Sequence, residues 1–83
     1  MSKIFVGNFS FGVDENSLRE FFSKVGQVVS VRIMKDKMTG RSRGFGFVEF
    51  SDAATAQRAI QECDGKMWEG RTLKISEERK REQ

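Results

Sequence analysis

The sequence predicts an α+β layered domain in which two helices cover one face of a four-stranded sheet and leave the other face open. Three observations carry this. Four segments show the two-residue alternation of strands, two show the 3.6-residue apolar spacing of helices, and the order strand, helix, strand occurs twice. Two helices with one apolar stripe each can cover only one face of such a sheet.

Lys3 to Phe9 alternates, with Ile4 and Val6 on one side and Lys3 and Phe5 on the other. Asp14 then suits an N-cap, and Leu18, Phe21, Phe22 and Val25 follow at i, i+3, i+4 and i+7 in a helix that ends before Gly26. Val28 to Lys35 is β-branched, with Val29, Val31 and Ile33 on one side and Ser30, Arg32 and Met34 on the other. A Thr39-Gly40 turn leads toward the strand that starts at Arg43. The second half repeats the first. Asp52 can cap a helix with the stripe Ala56, Ala59, Ile60 and Cys63, and each of the five lies 38 residues after its counterpart, Asp14 to Asp52 and Leu18 to Ala56 onward. Gly65 stops this helix, and Trp68, in the loop beyond it, is expected to pack rather than bind. The last strand, Arg71 to Ser76, places Leu73 and Ile75 inside and Thr72, Lys74 and Ser76 outside.

The strand from Arg43 to Phe50 is the informative one. Gly44, Gly46, Val48 and Phe50 share one face, and Arg43, Phe45, Phe47 and Glu49 share the other. Burying the second set would bury an Arg and a Glu without evident partners, at several kcal/mol per ion. Phe45 and Phe47 are therefore expected to face outward, with Gly44 and Gly46 letting the helices approach closely from beneath. The open face then gathers Phe5, Phe45, Phe47, Met34 and Lys74, where a bare sheet face is normally polar. Exposed rings beside an Arg suit a ligand that is flat and negatively charged, as single-stranded nucleic acid is.

Composition narrows the classes. Eighty-three residues make one domain, with one cysteine and no histidine. No intrachain disulfide can form, zinc has almost no ligands to draw on, and a nucleophile cannot be activated by His. No catalytic residue, metal site or cofactor is expected. Gly44-Phe45-Gly46 is no dinucleotide fingerprint, because the third glycine is missing and the segment enters a strand. The net charge is +3, and Lys35, Lys37, Arg41 and Arg43 against Asp36 carry the same excess in one stretch beside the aromatic strand. With no apolar run near the roughly 18 residues of a membrane span and no signal peptide, the chain is expected to be soluble and intracellular. It would be cytoplasmic as a complete bacterial protein, and nuclear or cytoplasmic in a eukaryote.

These residues resemble the RNA recognition motif family from Lys3 to Ser76. The family's octapeptide of Lys or Arg, Gly, aromatic, Gly or Ala, Phe, Val, any residue and aromatic is matched by Arg43 through Phe50 at every position. A shorter signature resembles Ile4-Phe5-Val6-Gly7-Asn8-Phe9, with Phe9 where the family usually has Leu at a packing position. The resemblance implies a ferredoxin-like βαββαβ sandwich with an antiparallel sheet, occupying residues 1–77 and followed by a charged tail over 78–83. It implies that strands one and three are adjacent, that Phe5 and Phe47 each stack a base, that Phe45 packs against sugars, and that Arg43 meets a phosphate. Lys3, Met34, Lys74 and Ser76 surround this platform, and Asn8 and Arg41 complete the candidate set. The implied partner is single-stranded RNA, with single-stranded DNA also admitted because stacking is indifferent to the sugar; no membrane is involved and the module acts as a monomer. Two rival readings keep the fold: a peptide-binding relative and a module that oligomerises through the aromatic face. Peptide-binding relatives tend to lose the exposed rings and carry Arg-x-Phe where this chain has Arg71-Thr72-Leu73.

Overall fold

The computed structural model describes residues 2–40 and 42–77. Strand β1 is Lys3–Gly7, helix α1 Glu15–Ser23, β2 Val28–Lys35, β3 Ser42–Phe50 and helix α2 Ala53–Cys63. A short hairpin follows, β4 Met67–Trp68 and β5 Arg71–Thr72, and then β6, Lys74–Glu77. The main sheet is antiparallel in the order β2-β3-β1-β6, so the first and third strands are its centre. Both helices lie against one face, as the two apolar stripes require.

Each helix begins where its aspartate can accept an otherwise unpartnered amide. The Asp14 carboxylate accepts the Ser17 backbone N–H at 2.8 Å, and the Asp52 carboxylate accepts that of Thr55 at 2.7 Å. These amides hold both carboxyls below their ordinary value of 3.8. A lowered folded-state pKa means stability that is present above the ordinary value and lost as the pH falls through the folded one. Asp52→Ala is therefore expected to lower the melting temperature at neutral pH. The gap between variant and parent should close below pH 3.8, which thermal melts across pH would follow.

The core sits between sheet and helices. Ile4, Val6, Val48, Phe50 and Ile75 from the sheet meet Leu18 and Phe22 of α1 and Ala56, Ala59 and Cys63 of α2, and Phe9 and Leu73 belong to the same buried cluster. Phe22 stands edge-on to Phe21 at 4.9 Å and to Phe50 at 6.1 Å. Trp68 packs as expected, stacked on Phe21 at 4.7 Å, and Phe9 is buried despite replacing the usual Leu. Burial pushes the Cys63 thiol up and keeps it protonated, as befits a small core residue. Among the described residues no polar or charged side chain is buried, and no helix is long and apolar enough to cross a membrane.

Three expectations are corrected. Val29 does not join the inward set: the pairing of β2 with β3 shifts register between Val28 and Ser30, so Val28 packs on the core and Val29 is 54% exposed. The segment from Arg71 to Ser76 is not one strand, since Arg71–Thr72 turns back on Met67–Trp68 before Lys74–Glu77 joins β1. Gly46 makes room for the neighbouring strand and not for a helix. A Cβ there would lie 2.2 Å from the Arg32 carbonyl oxygen and 3.0 Å from Ile33 Cα, both backbone atoms of β2. Gly44 has a φ of +84°, and its near neighbours are Phe11 and the Phe9 carbonyl, again not a helix.

Candidate nucleic-acid interface

The open face follows from register. Phe5 on β1 pairs directly with Phe47 on β3, and Gly7 pairs with Phe45. Phe5 continues across to Ser76 on β6, and Gly7 to Lys74. On the far side Arg32 of β2 is opposite Phe47, and Ser30 is opposite Glu49, which in turn faces Lys3. One row across the sheet thus reads Arg32, Phe47, Phe5, Ser76, and the next carries Phe45, Gly7 and Lys74.

The three rings form a contiguous surface. Phe5 is central, its ring centroid 5.8 Å from Phe45 at a 36° tilt and 5.9 Å from Phe47 at 64°. All three are half-buried, because they lean on one another while their outer surfaces stay open. Gly7 belongs to this arrangement. A Cβ on it would come within 2.8 Å of the Phe5 ring, so the absence of a side chain lets that ring lie down along the strand. Aromatic pairs at such distances hold one another in place and present faces and edges to a ligand.

The remaining candidates fall into place unevenly. Lys3, Lys74 and Ser76 are exposed on the same face, and Met34 is half-buried beside a recess lined by Lys3, Ser30, Arg32, Phe47 and Glu49. Asn8, just past β1 with a φ of 66°, spends its amide on the scaffold: its Nδ2 donates to the Thr72 carbonyl at 2.7 Å, and its Oδ1 accepts from Arg71 at 3.2 Å. Arg41 lies outside the described residues, and of Arg43 only the backbone, within β3, is described. Arg32 was missing from the sequence-derived set. Alternation placed it outward, but only the pairing of β2 with β3 sets it beside Phe47. The face as described carries Lys3, Arg32 and Lys74 against one acid, Glu49, whose Oε1 accepts a long hydrogen bond of 3.4 Å from the Ser30 hydroxyl. Among the described residues no cluster of His, Cys, Asp or Glu could hold a metal ion.

Comparison with known proteins bears on the family and the fold. The family model described as RNA recognition motif matches residues 4–74. Glycine-rich RNA-binding protein 3, mitochondrial, of Arabidopsis thaliana is 49% identical over 75 residues, which are 90% of this chain and 24% of that protein. The chain spans 24%, 48% and 55% of the lengths of three such plant relatives. Among solved structures, RNA binding protein PG1 superposes with a TM-score of 0.92 at 41% identity, covering 100% of both chains. The Rna15 domain solved with bound RNA (GU) gives 0.83 at 29% identity, over 92% of this chain and 81% of its own.

Proposed function

This chain belongs to the RNA recognition motif family, and from that premise we propose that it binds single-stranded RNA across its open sheet face without catalysing a reaction. The observation that carries this is the gathering of Phe5, Phe45 and Phe47 on the outer face of the two central strands, with cations around them. Water solvates such a face poorly, whereas bases stack on it and phosphates meet its rim. In this reading Phe5 and Phe47 each take a base, Phe45 lies against a sugar, and Arg43, Lys3, Arg32 and Lys74 serve the backbone. Asn8 acts through the scaffold. The module is a monomer of residues 1–77 with 78–83 as a charged tail, acts inside the cell, and admits single-stranded DNA more weakly wherever a 2′-hydroxyl contact is lost.

Each stacked base is worth roughly 1 to 3 kcal/mol. Two or three bases therefore give about 2 to 9 kcal/mol in gross terms, against about 8 kcal/mol for micromolar binding. Weak to moderate affinity follows for the isolated domain. Titration with a pool of short RNAs, followed by amide NMR shifts, is expected to move β1 and β3 first. Shifts confined to α1 and α2 would defeat the sheet-face reading.

A further inference from the structure

Beyond the three rings the open face runs into a groove at one end of the sheet. It passes Gly7, Gly44 and Phe45 and reaches Phe11, in the loop after β1, together with Arg71 and Lys74. Phe11 is 67% exposed. A single exposed ring is ordinary, but this one is held from two sides. Its edge lies over the Gly44 backbone, where an added Cβ would meet it at 3.2 Å, and the Arg71 guanidinium stands 5.9 Å from its centroid. Arg71 is itself aimed by the Asn8 amide, which is anchored in turn to the Thr72 carbonyl.

The groove has the chemistry of the platform in a second copy. It offers an aromatic ring, two cations and no acidic side chain, and it is continuous with Phe5 and Phe45. Two cations without an acid favour a polyanion over an apolar peptide segment, and a guanidinium near a ring strengthens that ring as a stacking surface. Resting on the RNA-binding reading above, we propose that Phe11 and Arg71 form a further nucleotide subsite. A base stacks on Phe11, and Arg71 and Lys74 neutralise the phosphate that joins it to the nucleotides on the central rings. Asn8 is then a positioning residue, holding Arg71 without touching the base.

The test uses fluorescein-labelled randomised RNA pools of two lengths, a short one that the central rings can satisfy and one twice as long, read by anisotropy. Phe11→Ala is expected to weaken the long pool by about 5- to 10-fold, the low end of one lost stack, while changing the short pool by less than about twofold. Phe11→Trp should restore the long pool. Arg71→Gln should flatten the salt dependence of long-pool binding by about 0.7 in the exponent. Phe11→Ala binding both pools like the parent would overturn the subsite and leave the RNA-binding reading standing. Equal losses on both pools, or a melting temperature several degrees lower, would also overturn it, since Phe11 would then be supporting β3 through Gly44. Failure of the parent to bind either pool would instead count against the RNA-binding reading, and the subsite would fall with it.

Discussion

Replacing Phe5 and Phe47 together by alanine is expected to weaken single-stranded RNA binding by about 2 to 6 kcal/mol while leaving the domain folded. The two residues are direct register partners on the central strands, with ring centroids 5.9 Å apart. Both project away from the helices, and neither belongs to the buried cluster beneath the sheet. Removing them therefore deletes stacking surface without opening a cavity in the core. Because the rings touch, the single variants are not expected to sum to the double, and the coupling between them is itself measurable in a mutant cycle. Calorimetric titration of parent, singles and double, with circular dichroism melts beside each, makes the check. A double variant that binds within about twofold of the parent, or one that unfolds, would contradict the assignment of these rings to the ligand.

Phe22→Ala should produce the opposite pattern, a loss of about 3 to 5 kcal/mol of stability with no direct effect on the face. Phe22 is wholly buried, edge-on to both Phe21 and Phe50, at the junction of α1 with the inner side of β3. Small domains have about 5 to 15 kcal/mol in hand, and with 83 residues and no disulfide this one belongs near the lower end. The variant should therefore be partly unfolded at ambient temperature. Urea melts give the stability directly. RNA affinity should fall only in proportion to the unfolded fraction and return to that of the parent where the variant is folded; a loss persisting in fully folded protein would mean that Phe22 acts on the site itself.

The contrast between these variants was legible in the sequence because period-two alternation puts Phe5 and Phe47 on the outer faces of their strands, while the 3.6-residue spacing puts Phe22 in the apolar stripe of α1. Phe45 and Phe47 go with Arg43 and Glu49, Val48 and Phe50 go with the glycines, and from Gly44 to Phe50 burial follows that division. The 38-residue repeat likewise marked both helices and both caps. Pairing was harder to read. Arg32 stands beside Phe47 only because β2 enters the sheet with a particular register, and the shifts at either end of that strand leave no local signature. The same shift turned Val29 outward against its alternation. The hairpin of β4 and β5 is too short for periodicity to register, and it depends on Glu69 and Gly70 both taking positive φ, at 53° and 80°. Glycine accepts that conformation freely, and a glutamate does not advertise it. Phe11 was illegible for another reason: a lone aromatic in a loop has no pattern, and its meaning comes from Gly44 and Arg71, which reach it through the fold.

The pairing of β6 has a practical side. Ser76 stands opposite Phe5 and Glu77 opposite Ile4, so the backbone passing Glu77 is one residue pair from the central ring. Anything joined after that point starts its path at the rim of the platform and not behind the helices. A short flexible tether holds its cargo at an effective concentration in the millimolar range. A fluorophore or a second RNA-binding module attached there would work next to the bound strand, whereas the same cargo attached through the outer surface of α2 would have to reach around the whole domain.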